Sequence, residues 1–351
     1  MPLPRAVIAA LFVIIIFAGC AARHAEPPRA SISALHRDIP APVPGTPSDD
    51  AGRGIAASPE PAGVITLRDA IALAVAHNPD LAAASWETAA QEAGSRQAGA
   101  RPNPEVEVEA EEFGGPGERR RFEGAEVSVR LGQVLELGGK RAKRMRAATL
   151  DRDISEWDRE IQRLDTLTGV TKAFIEVVAA QERNALALER LELAGALHAA
   201  AAERVGSGKI PPLEETRARA ELAAARIGSD TAARELADAR AALAALWGGT
   251  GPVFESAKGS LETIPPITAV DAEKVLASGP DMERRAVILE RRAAAVEVEK
   301  SRRIPDVTIT GGGVRFTESD ENAVVAGLSA PLPLFDLNRG NVDMERAHLA
   351  K

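Results

Sequence analysis

The chain has 351 residues, with 43 Lys and Arg against 51 Asp and Glu, for a formal net charge of -8. That balance argues against a nucleic-acid partner, which would call for a basic patch or stripe. A single cysteine excludes an intramolecular disulfide. No tyrosine and only eight Phe is thin for a large compact core, but suits long Ala-rich helices, because Ala lets helix axes approach closely.

Residues 1–20 read as an export signal rather than as fold. Val7 to Ala18 is an apolar run too short to span a bilayer as a helix, which takes about 20 residues. Phe17-Ala18-Gly19-Cys20 resembles the lipobox of bacterial lipoproteins, although that pattern prefers Leu where Phe17 stands. The resemblance implies acylation of Cys20; a soluble export signal with an incidental cysteine is the alternative. Ala21 stands where an inner-membrane retention signal would place Asp, which points to the outer membrane. Residues 21–63, rich in Pro and Ala, read as a flexible linker that buries too little apolar surface to offset its ordering entropy.

Residues 64–249 form a first structural repeat. Thr66 is the expected N-cap of a short helix, and Asn78-Pro79 interrupts it to open a second that runs to about Ala100. Arg101-Pro102-Asn103-Pro104 breaks the pattern. Glu105 to Phe113 then alternates, with Val106, Val108 and Ala110 on one face and Glu105, Glu107, Glu109 and Glu111 on the other. Such a strand suits either the wall of a transmembrane barrel with a wet lumen or the edge of a soluble sheet. After a polar loop, Ala125 to about Leu137 alternates likewise, completing a hairpin that lacks the aromatic girdle of a typical barrel.

Lys140 to about Val205 contains no proline and reads as one helix about 100 Å long. Leu150, Ile154, Trp157, Ile161 and Leu164 mark a coiled-coil seam that Val170, Phe174 and Val177 continue. Gly206 to Pro212 is a tight turn, and a second long helix returns from Leu213 to Leu246. The exposed tip of this helical hairpin either docks a partner or merely reverses the chain.

Residues 250–270 read as a connector, and residues 271–351 as a second, incomplete repeat. His77-Asn78-Pro79-Asp80-Leu81 returns as Ser278-Gly279-Pro280-Asp281-Met282, at an offset of 201 residues. Helix, strand and strand follow again, with strands at roughly Val307–Val314 and Ala323–Leu332, and Gly340 to Lys351 begins another long helix. Aligned on Leu131 and Leu328, the second copy stops about 92 residues short of the first, so a fragment or a natural truncation is expected. Strands isolated between helices are expected to pair with strands of other chains.

No catalytic constellation is visible, no cofactor is expected, and the chain does not read as an enzyme. The five histidines are scattered, and Gly311-Gly312-Gly313 lacks the Lys and Ser/Thr of a phosphate loop.

The pattern resembles the TolC-type outer-membrane efflux proteins, over Thr66 to Lys351. Within that family it is most similar to the subfamily serving cobalt-zinc-cadmium resistance pumps. The segments that carry the resemblance are Ala76 to Leu81, Arg101 to Glu105, Glu112 to Gly115, Gln133 to Arg141 and Pro331 to Phe335. It implies a mainly α fold with a small transmembrane β portion: a long helical hairpin barrel, plus four strands per protomer in a shared trimeric β-barrel. It implies a homotrimer in outer-membrane lipid, working with a periplasmic adaptor protein and an inner-membrane resistance-nodulation-division transporter. Arg204, Gly208, Leu213 and Glu214 match the tip where the adaptor engages, although Pro211-Pro212 departs from the commoner single proline or small polar residue. The chain would then be a passive conduit, with heavy-metal cations as first substrates and small organic toxins next. Glu105, Glu107, Glu109 and Glu111 would face the lumen and give weak cation selectivity. A non-conducting periplasmic coiled-coil lipoprotein scaffold is the competing reading, and the two strand hairpins speak against it.

Overall fold

The computed structural model describes residues 61–115, 124–261 and 279–351. The signal and lipobox with Cys20, most of the linker, part of the first hairpin loop, the end of the connector and the first residues of the second repeat, 271–278, lie outside the described residues. In chain order the elements are β1 (Gly63–Ile65), α1 (Leu67–His77), α2 (Pro79–Ala98), β2 (Glu105–Glu111), β3 (Glu126–Leu135) and α3 (Lys140–Gly206). They continue with α4 (Pro212–Ala245), β4 (Phe254–Ala257), α5 (Pro280–Arg302), β5 (Val307–Phe316), β6 (Glu321–Ser329) and α6 (Arg339–Ala350).

Local chemistry sets the helix starts. Thr66 and Asp69 form a reciprocal capping box on α1, in which the Asp69 backbone N–H donates to Thr66 Oγ1 and the Thr66 N–H donates to Asp69 Oδ2. The Thr66 hydroxyl, which donates to Asp69 Oδ2 at 2.7 Å, and the Thr66 N–H together hold the Asp69 carboxyl below its ordinary pKa. Asn78 caps α2 by accepting from the Leu81 N–H at 3.0 Å, with Pro79 in the first turn. Its Nδ2 also donates to the Leu246 carbonyl at 2.8 Å, tying the start of α2 to the end of α4. The long helices of the two repeats both leave a left-handed residue, Gly139 at φ 69° and Asn338 at φ 51°. Asn338 is held there by donating to the Glu299 carbonyl and carboxylate.

Helix α3, 67 residues long, is the spine of the fold. Its first third lies between α2 and α5. On the α5 side an antiparallel ladder of ion pairs runs Arg284–Asp158, Arg291–Asp151, Arg146–Glu290 and Lys143–Glu297. Contacts on two sides change the expected seam: Leu150 is buried, but Ile154, Trp157, Ile161 and Leu164 are only partly so, while Ser155 and Thr166 are buried among the helices. The seam is continuous from Val170 onward. There Val170, Phe174, Val177 and Val178 pack with Ala239, Leu243 and Ala244 of α4, Ala70 and Ala74 of α1, and the fully buried Trp247.

One element escapes the sequence reading. At the junction of the expected linker and first repeat, β1 pairs in parallel with β4 of the expected connector, beneath this core. Gln181 of α3 extends the pair, its side-chain amide accepting from the Ala257 N–H at 2.7 Å and donating to the Ala257 carbonyl at 3.0 Å. The strands, expected to find partners in other chains beyond their own hairpins, also find partners across the two hairpins of this chain. The two hairpins join in one antiparallel sheet of order β2-β3-β5-β6, with β3 paired to β5 over ten residues and β2 and β6 as its edges.

Candidate functional site

The four-stranded sheet reverses the usual rule of burial. Register places Val106 and Val108, Val127, Val129 and Leu131, Ile309, Val324 and Leu328 on one face. That apolar face is the exposed one: Val106 and Val108 are 68% and 67% open, Val324 and Leu328 79% and 75%. The other face carries Glu105, Glu107, Glu109 and Glu111 of β2 beside Glu126, Ser128 and Arg130 of β3, then Thr308, Thr310 and Val314 of β5. That face is the more enclosed, with Ser128 only 2% and Val314 4% exposed. A sheet in water buries its apolar side. This one exposes its apolar side and encloses part of its polar side, which is the distribution expected of a bilayer-spanning barrel wall.

The dimensions agree. Strands β3 and β5 have ten residues each and β6 has nine, against about 9–11 for a tilted transmembrane strand. The apolar band ends towards the β5–β6 turn at Arg315, which pairs with Asp320 and donates to Asn322. Glycine permits the close strand approach in the middle of the sheet: a side chain at Gly312 would collide with the Val129 carbonyl and come within 2.8 Å of Arg130 Cα.

The carboxylates of β2 share one face, as alternation predicts, but they are not an unbroken acidic row. Arg130 Nη1 lies 3.0 Å from Glu109 Oε2 and 3.9 Å from Glu107 Oε2. The hairpin register accounts for this: Glu111 opposite Glu126 sets Arg130 across from Glu107.

At the far end of the helical hairpin, α3 closes in a Schellman motif. The Lys209 N–H donates to the Arg204 carbonyl and the Gly208 N–H to the Val205 carbonyl, both at 2.9 Å, with Gly208 at φ 71°. Pro211 is extended and Pro212 opens α4, so the double proline fits a helix start without distortion. Arg204, Gly208, Leu213 and Glu214 all lie exposed at this tip, and Glu214 pairs with Arg217 at 2.9 Å.

Among the described residues, no three His, Cys, Asp or Glu side chains gather as a metal-binding group, and no helix is long and apolar enough to cross a membrane.

Comparison with known proteins agrees with this geometry. The chain is 38% identical over 284 residues to the cobalt-zinc-cadmium resistance protein CzcC of Cupriavidus metallidurans, covering 81% of this chain and 66% of that protein. It is 30% identical to the nickel-cobalt-cadmium resistance protein NccC of Alcaligenes xylosoxydans xylosoxydans, covering 82% of this chain and 64% of that one. It thus spans just under two thirds of the length of these relatives. The fold matches that of CusC, solved in work on folding and transmembrane channel formation, with a TM-score of 0.67 at 18% identity, over 81% of this chain and 70% of that one. The outer membrane efflux protein family matches residues 70–249, from α1 to the end of α4, and the chain belongs to that family.

Proposed function

We propose that this chain is the outer-membrane duct of a tripartite efflux system, a passive aqueous path and not a catalyst. The observation that carries this reading is the inverted sheet, whose apolar face has no use in water and whose charged face has no use in lipid. Four strands cannot close a membrane barrel, the smallest of which has eight. Because all neighbours in the sheet are antiparallel, β2 and β6 run in opposite directions. The β2 edge of one copy therefore fits the β6 edge of the next, a head-to-tail contact that closes into a ring. Three copies give twelve strands and the homotrimer that the family resemblance implies.

The long helices then extend the path into the periplasm, and the tip at Arg204, Gly208, Leu213 and Glu214 is the docking point for a periplasmic adaptor and its inner-membrane resistance-nodulation-division transporter. Heavy-metal cations are the proposed substrates, a reading supported by the names of CzcC and NccC. The acidic side chains of β2 line the lumen and favour cations. Cys20 carries the lipid anchor.

The test separates duct from scaffold. With Cys20→Ser, a barrel stays in the outer-membrane fraction through carbonate washing and needs detergent for extraction. A lipid-anchored scaffold becomes soluble, and that result overturns the proposal. Restored cobalt, zinc or cadmium tolerance in cells that lack their own duct is the expected functional result.

A further inference from the structure

The charge of the polar face is not set by its glutamates alone. Arg130 stands midway along β3, with Glu107 directly opposite it on β2 and Glu109 two pairs further on, next on the same face. Its guanidinium leans onto both carboxylates, at 3.9 and 3.0 Å. On its other flank the paired residue is Gly312, which brings no side chain to the face, so β5 offers Arg130 no competing partner there. The carboxylates beyond this group sit towards the two ends of the strand pair. Glu105 lies at one end, and Glu111 and Glu126 face one another at the loop end. The wall is therefore acidic throughout, but its middle is partly neutralised, because there one cation sits beside two acids and offsets one of their two charges.

We propose that Arg130 is a selectivity-determining residue of the duct. By offsetting one of the two charges of Glu107 and Glu109 it holds the cation preference of the lumen low. The inference rests on the conduit reading above. A ring of closed copies repeats this Arg130 group around one level of the lumen, where a change of one charge per copy alters the field felt by every permeating ion. An ion pair placed only for sheet stability would not do this in a signed way. Removing the cation and removing the anions would both weaken the sheet, yet they move the lumen charge in opposite directions.

The experiment is reversal-potential measurement on purified full-length channels in planar bilayers under a potassium chloride gradient. Arg130→Gln is expected to raise the cation-over-anion permeability ratio by about twofold or more, and Arg130→Glu further still. Arg130→Lys, which keeps the charge, is expected to retain the wild-type ratio. The Glu107→Gln, Glu109→Gln double variant leaves Arg130 unbalanced and is expected to shift the ratio towards anions. It gives the signed answer even if Arg130→Gln fails to assemble. Conducting variants with an unchanged ratio, or shifts in the same direction for both kinds of substitution, overturn the role of Arg130 and leave the conduit reading standing. A wild-type protein that inserts but does not conduct overturns both.

Discussion

The helical base and the sheet of this chain follow opposite rules of burial. In the base, Trp247, Phe254, Ile65 and Leu243 are fully enclosed and charged side chains line the outside. In the sheet, Val108, Val129 and Leu131 lie outside and Ser128 is enclosed. A single chain can hold both patterns only if its two parts meet different solvents, because apolar burial stabilises in water but has no driving force against lipid tails. The boundary between the regimes is the set of strand-to-helix junctions. There Lys140 pairs with Asp306 at 2.7 Å, Arg144 pairs with Glu136, and Gly138 leaves room for Ile304.

Substitutions can separate the two regimes. The largest effect is expected from Trp247→Ala, which empties the core beneath α1, α3 and α4 and should cost about 3–5 kcal/mol. Thermal melting of the helical circular dichroism signal in detergent reads it, and strand insertion should be spared. Next is Val129→Lys, which sets a charge on the outward apolar face near mid-strand and should cost about 2–4 kcal/mol in each copy. The expected outcome is loss of assembled protein from outer-membrane fractions, with the helical melting point unchanged. If both variants act on the same readout, the two regions are not the independent regimes described.

Asn78→Ala is smaller, about 1–2 kcal/mol, because it removes the α2 cap and leaves the Leu246 carbonyl without its donor. It should appear in the helical melt alone. The smallest effect belongs to Asp69. Its folded-state pKa is lowered by the Thr66 bonds, so its contribution is present above the unfolded carboxylate pKa and fades as pH falls through the folded one. Asp69→Asn should therefore lower stability slightly at neutral pH and converge on the wild type at low pH, flattening the acid limb of the stability curve, as a pH series of melts would show.

The parts of this fold that follow local rules could be read from the sequence. Asn78-Pro79 is a cap in its own four residues, the Glu/Val alternation of β2 needs only period two, and α3 needs only an uninterrupted helical run. What could not be read depends on partners distant in the chain. The β1–β4 pair joins residues about 190 positions apart, and three-residue Gly63–Ile65 has no period to display. The joining of the two hairpins through β3 and β5 lies beyond any local pattern, as does the ion-pair ladder between α3 and α5. The carboxylate face was legible as a face. Its partial neutralisation by Arg130 required the hairpin register, which the polar loop between Glu111 and Glu126 hides.

The central claim is that the exposed apolar face of the sheet meets lipid while its charged face meets water. The direct measurement places single cysteines, in a Cys20→Ser background, along β2 and β3 at Val106, Glu107, Val108, Glu109, Ser128, Val129, Arg130 and Leu131. Each is labelled with an environment-sensitive fluorophore in reconstituted membranes and challenged with a lipid-phase and an aqueous quencher. The account predicts strict alternation, with Val106, Val108, Val129 and Leu131 quenched from the lipid and Glu107, Glu109, Ser128 and Arg130 quenched from water. Uniform aqueous quenching at all eight positions would contradict it and return the sheet to solution.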